Sequence, residues 1–204
     1  MSTTTSNLAL SLLGSGVAVK WLTNYETDTS VTAQWCRKLY PEAKKIALTL
    51  HEWNEALATV EGIDAGGDVA GIHHLGYDYA YLIPQDPPCL KFLRITDEDG
   101  VTLKHKSQGG YIFTDYETDE FYYHYIYDLD DETMFSPSLK LAIAYQLAAL
   151  LAAPIIKGKD GHERRLGLLQ EYESLILPNA IEADVDSEYD QINENAPDRW
   201  DKTT

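Results

Sequence analysis

The chain has 204 residues, 44% of them apolar, with 33 acidic against 16 basic side chains and a net charge of −17. That length suits one domain with a tail, and a core large enough to need no disulfide or metal staple. The charge argues against nucleic-acid binding, since phosphates are repelled unless basic residues cluster; here they are scattered, and Lys104-His105-Lys106 reads as a hairpin tip.

Asn7–Leu13 reads as a short apolar helix stopped by Gly14 and Gly16, with Trp21 and Leu22 in an extended connector. Asp28 or a neighbouring threonine is placed to cap a helix that runs to about Leu50. Val31, Trp35, Leu39, Ala43, Ile46 and Leu50 recur at helical spacing and form its expected inner face. Pro41 interrupts this pattern, and its missing N–H predicts a kink or brief break. Trp53, Ala56 and Leu57 continue the apolar theme, and the glycine-rich stretch Glu61–Gly76 reads as a loop.

The period then changes from helical to alternating. Strands are predicted around Tyr77–Tyr81, Leu90–Ile95, Val101–His105, Tyr111–Thr114 and Phe121–Tyr127. Asp99-Gly100 and Gly109-Gly110 supply turns, and Glu117–Glu120 an acidic one, giving one small antiparallel sheet. Nine of the 14 tyrosines fall between Tyr77 and Tyr127. Tyrosine pairs a large ring with a hydroxyl, which suits interfaces, so Tyr111, Tyr116, Tyr122, Tyr123 and Tyr125 are interface candidates.

Ser136 followed by Pro137 opens an alanine-rich helix from about Pro137 to Ala153. Its apolar run is short and alanine-rich, which favours a buried bundle helix over a membrane span. Asp160 and Glu163 have capping-box spacing, predicting a last helix from Gly161 to about Leu177, ended by Pro178. From Ile181 onward, eight acidic residues stand against two basic ones, with apolar residues only at wide spacing: Ile181, Val185, Tyr189, Ile192 and Trp200. Such a segment is too sparse in apolar surface to fold alone and reads as an arm that orders on a partner.

The predicted fold is therefore mainly α with a β insertion. A helical bundle of about four helices (residues 1–60 and 136–180) carries the small antiparallel sheet (77–128), and an extended acidic C-terminal arm (181–204) follows.

Catalytic chemistry is hard to place on these residues. The six histidines form no ligand motif, and His73-His74 reads as a turn pair. Asp184, Asp186, Glu188 and Asp190 have part of a calcium-loop spacing, but Tyr189 and Asn195 stand where that loop needs glycine and glutamate. Cys36 and Cys89 are far apart and predict free thiols in a reducing compartment. No signal peptide is expected from the Ser/Thr-rich start, and no phosphate-binding or nucleophile-elbow glycine pattern occurs. The expectation is a protein that is not an enzyme and takes no cofactor or metal.

Several segments together resemble the head-to-tail adaptor (connector) family of tailed bacteriophages, which includes tail tubular protein A of short-tailed phages. They are Leu8–Gly14, the stretch from Ala33 through Tyr40 and Ala43 to Trp53-Asn54, and Tyr79–Pro84 with Asp86 and Cys89-Leu90. Gly109–Asp115, Tyr125-Ile126 and Phe135 to Ile155 complete the set. The resemblance spans about Asn7 to Ala180, with the motifs in family order.

The resemblance implies a virion protein at the head–tail junction, assembled in the bacterial host cytoplasm. It implies a homo-oligomeric ring, commonly of twelve subunits, that docks on the portal protein and receives a downstream tail or nozzle protein. Genomic DNA would pass through the ring without specific binding, and no membrane is involved. The C-terminal arm would engage the portal, making Ile181, Val185, Tyr189, Ile192 and Trp200 its candidate contacts. Glu117, Asp119, Glu120, Asp130, Asp131 and Glu132 are candidates to face the channel or the tail-side partner, where negative charge would let DNA slide. The competing readings are another neck or tail-completion ring protein of the virion, a small acidic DNA mimic, and a metal-dependent enzyme, for which the sequence supplies no ligand set.

Overall fold

The structure, a computed structural model, describes residues 3–14, 21–62 and 68–184. It is a mixed helix and sheet fold with four helices and two small antiparallel sheets. The helices are α1 (Thr3–Leu12), α2 (Val31–Leu50), α3 (Pro137–Ile156) and α4 (Gly158–Glu171). The strands are β1 (Leu57–Glu61), β2 (Tyr79–Leu82), β3 (Cys89–Thr96), β4 (His105–Gln108), β5 (Tyr111–Thr114) and β6 (Tyr122–Tyr127). Two compact units result: residues 1–47 with 132–204, and residues 48–131.

The first unit is helical and centres on α3. This helix is apolar on every side, so it must be covered on every side. Leu139, Ala142, Ile143, Ala144, Leu147, Ala148, Leu151 and Ala152 are all completely buried. Ser136 caps its start by accepting from the Leu139 N–H at 3.1 Å, as the sequence predicts. The helix runs three residues past Ala153, through Pro154, at the loss of the one bond that an N–H there would make to the Leu150 carbonyl. Lys157 and Gly158, both with positive φ (60° and 64°), then turn the chain straight into α4.

Small residues let these two helices approach closely. A Cβ added to Gly161 would stand 2.9 Å from the Ala152 carbonyl oxygen. The expected capping box is not formed: α4 starts at Gly158, no side chain caps it, and Glu163 instead pairs with Lys159 at 3.1 Å. Nor does Pro178 end the last helix, because a π-helical turn over Tyr172–Ile176 precedes it and residues 177–184 continue as helix. In a regular α-helix the Pro178 ring would strike the Ser174 carbonyl; the wide turn, in which Leu177 N–H reaches back to Tyr172 O, falls over that point.

Around α3 the N-terminal segments are fastened by side chains. Arg164 donates to the Leu12 carbonyl through two nitrogens, satisfying the open C-terminal end of α1. Asn7 clasps Leu22 in both directions, accepting from its N–H at 2.8 Å and donating to its carbonyl at 3.0 Å. Arg37 donates to the carbonyls of Tyr25 and Asp28, holding the connector from the α2 side. Ser30 caps α2, accepting from the Ala33 N–H at 3.2 Å, while Asp28 accepts from Ser30 N–H at 2.8 Å. The predicted break at Pro41 is absent, since α2 is continuous through it. Cys36 and Tyr40 before the proline and Ala43 after it share one buried face, and that packing outweighs one missing hydrogen bond.

The second unit is built from the six strands. Where the sequence predicts one sheet there are two, ordered β1-β6-β3 and β2-β5-β4. Their inner faces meet in a core of Tyr81, Ile95, Ile112, Phe121, Tyr123 and Tyr125. β1 lies where the sequence reads partly as loop; it pairs with β6 from Leu57↔Ile126 to Glu61↔Tyr122. Asp97 accepts from the N–H groups of Asp99 and Val101 to fold the turn after β3, and Gly100 takes φ 78° there. Gly109 and Gly110, at φ 64° and 85°, make the two-residue turn between β4 and β5. Lys104-His105-Lys106 is not a hairpin tip: His105 and Lys106 open β4, and Lys104 pairs with Asp115 at 3.3 Å.

Candidate functional site

The residues with chemical potential are mostly committed to structure. His124, on β6, is the best-placed histidine, yet both its ring nitrogens are engaged: Nδ1 with Thr59 Oγ1 at 3.1 Å, and Nε2 with Thr96 Oγ1 at 2.9 Å. One threonine hydroxyl donates and the other accepts, which suits the neutral ring. Desolvation, and then the Arg94 charge, hold its pKa below the usual histidine value. His73 and His74 sit in a turn, where His73 Nδ1 accepts from Leu75 N–H and His74 lies 2.8 Å from the Asp78 carbonyl.

Both cysteines are free, and burial pushes each thiol up to about 11, so neither is a ready nucleophile at neutral pH. Among the described residues no group of three His, Cys, Asp or Glu side chains could hold a metal ion. α3 is long and apolar enough to cross a membrane, but most of that stretch is buried inside the protein.

The acidic candidates divide by exposure. Glu117, Asp119 and Glu120 are exposed on the turn before β6. Glu117 accepts from the Tyr79 hydroxyl at 3.0 Å, and Glu120 accepts from the Glu117 N–H at 2.8 Å. Asp130 and Asp131 are exposed, whereas Glu132 is half-buried and accepts from the Tyr40 hydroxyl at 2.7 Å. Burial, and then that carboxylate, drive the Tyr40 pKa upward, so the phenol stays a donor. Glu132 is thus a structural acceptor for Tyr40, unlike the exposed Asp130 and Asp131 beside it.

The tyrosines divide as sharply. Tyr123 and Tyr125 are completely buried, with burial the main cause of their raised pKa values. They belong to the unit's own core, which corrects their reading as interface residues. Tyr111, Tyr116 and Tyr122 are half-buried. Of the arm candidates, Ile181 lies within the last helix with 36% exposure, not in an extended segment. Val185, Tyr189, Ile192 and Trp200 lie outside the described residues.

One surface was missed by sequence reasoning. The buried face of α2 is Ala33, Cys36, Tyr40, Ala43 and Ala47, rotated from the predicted one, of which only Ala43 is fully buried. Val31 and Leu50 are exposed, and Trp35, Leu39 and Ile46 half-buried, so a second apolar row runs along the outer flank. The available signal was Arg37-Lys38 and Lys44-Lys45, two basic pairs in one helix of an acidic chain.

No protein-family model matches the chain, and no curated protein matches it either.

Proposed function

We propose that the chain is a structural virion protein, a head-to-tail adaptor whose ring docks on the portal, joins it to the tail and forms part of the DNA channel. In this reading the first unit is a helical bundle and the second its β insertion. The segment after Asp184 is the extended arm that engages the portal, with Val185, Tyr189, Ile192 and Trp200 as its apolar anchors.

The observation that carries it is the chain order. The described residues of 1–47 and 132–184 form one compact helical unit, interrupted by one inserted β unit, and the resemblance implies that same order for the adaptor family. Two further features support it. His124, Tyr40 and Glu132 are spent on hydrogen bonds and the Cys36 thiol is buried, which favours a role for surfaces over one for a reaction centre. A net charge of −17 per subunit, repeated around a ring, favours a channel through which duplex DNA slides without sticking. The exposed Glu117, Asp119, Glu120, Asp130 and Asp131 are the acids proposed to face that channel or the tail-side partner.

Electron microscopy of the particle that carries the chain is the test. A ring between head and tail is expected; a location elsewhere overturns the proposal.

A further inference from the structure

The outer flank of α2 combines apolar surface with positive charge. Val31 is 68% exposed, and Trp35, Leu39 and Ile46 follow at steps of four, four and seven residues, which keeps all four on one side of the helix. Lys38 and Lys45 are exposed beside this row, and the Lys38 Nζ stands 5.2 Å above the Trp35 ring centroid. Of the helix's four basic residues only these two are exposed, since Lys44 is buried and Arg37 donates inward to the Tyr25 and Asp28 carbonyls; its one acid, Glu42, is exposed. A row of large apolar side chains in contact with water, bordered by charge, marks a binding surface.

The same unit carries a surface of complementary character. From Leu166 to Asp198 the chain has no lysine or arginine and nine acidic residues. Within that run the last helix turns Tyr172 and Ala180 inward, where they are buried. It leaves Leu175 (52% exposed), Pro178 and Ile181 outward, among the exposed Glu171, Glu173 and Glu182. Apolar surface is thus offered with basic borders on one helix and acidic borders on the other.

We propose that the Leu175–Pro178–Ile181 surface of one copy packs on the Trp35–Leu39–Ile46 row of a second copy, with Glu173 or Glu182 set against Lys38. The apolar rows supply the buried area, and the opposite charges at the rim set register and exclude like-with-like pairing. Because the two surfaces differ, the contact is head-to-tail, the type that repeats into a ring when its rotation closes. Its closure rests on the adaptor reading above; the contact itself does not.

The test uses the full chain, as an equal mixture of normal and heavy-isotope-labelled protein treated with a carbodiimide. Mass spectrometry is expected to find Lys38 joined to Glu173 or Glu182 in mixed-label pairs. Lys38→Glu is expected to weaken self-association by about tenfold or more, since it places like charges together. Mixing that variant with Glu173→Lys/Glu182→Lys should restore association between the two. Lys38 links found only within single chains, Lys38→Glu protein that associates like the wild type, or a wild-type chain that stays monomeric at its highest soluble concentration would each overturn the contact. The failures are separable. A ring at the head–tail junction built without this contact leaves the adaptor reading standing, and a chain that self-associates through it but sits elsewhere in the particle leaves only the contact.

Discussion

The two units solve the packing problem with opposite materials. The helical unit relies on small residues: α3 buries Ala142, Ala144, Ala148 and Ala152 completely, and α4 meets it through Gly161. The β unit relies on large rings: Tyr81, Phe121, Tyr123 and Tyr125 fill the space between its sheets. Helices can approach until backbones touch, so their interface rewards the absence of side chains. Two sheets stand roughly 10 Å apart, and only long side chains fill that gap. The first unit should therefore be injured by enlargement, and the second by truncation.

The largest expected effect lies in the β unit. Tyr81→Ala removes a ring that is 2% exposed and lies 5.6 Å from the Phe121 ring, centroid to centroid. The cost should be on the order of 3–5 kcal/mol, the range for emptying a large aromatic site. Chemical denaturation monitored by tyrosine signals in the β unit measures it, and a loss under about 1 kcal/mol would deny the rings their role.

Gly161→Ala should come next, at about 1–3 kcal/mol, because the added methyl meets a backbone carbonyl that cannot swing away. An unchanged unfolding midpoint would mean that α3 and α4 do not need their close approach.

The smallest effect concerns His124. Its folded pKa lies below the free value of about 6.5, so the unfolded chain binds the proton first as pH falls. Its contribution to stability is full above about pH 6.5 and is lost as pH drops below that value toward the folded pKa. Thermal midpoints of the wild type and His124→Gln, followed from pH 7.5 to 5 (roughly one unit or more on either side of that value), should converge toward acid. Parallel curves would place the linkage elsewhere.

The same contrast explains what the sequence made legible. Ser136-Pro137, the Gly109-Gly110 turn and the alternation from Tyr111 to Thr114 are local signals, and the elements appear where they predict. β1 was missed because its partner β6 is some sixty residues away, with Thr59 set opposite His124, and five residues carry little pattern of their own. Grouping Tyr122, Tyr123 and Tyr125 as interface candidates passed over the alternation in β6, which sets Tyr123 and Tyr125 opposite Tyr122; which set faces inward depends on the second sheet. On α2 the apolar period is genuine. The wrong side was assigned because alanine, cysteine and tyrosine, rather than the large aliphatic residues, line the close interface. At Pro178 a local rule failed because a π-helical turn upstream made room for the ring.

The central claim, that this chain joins rather than reacts, is tested most directly by imaging it in the particle at a resolution that traces its backbone. The account predicts a closed ring of copies beneath the portal, with residues 185–204 lying against portal protein. Copies scattered on the capsid surface, or a ring whose C-terminal segments all point away from the portal, would contradict it.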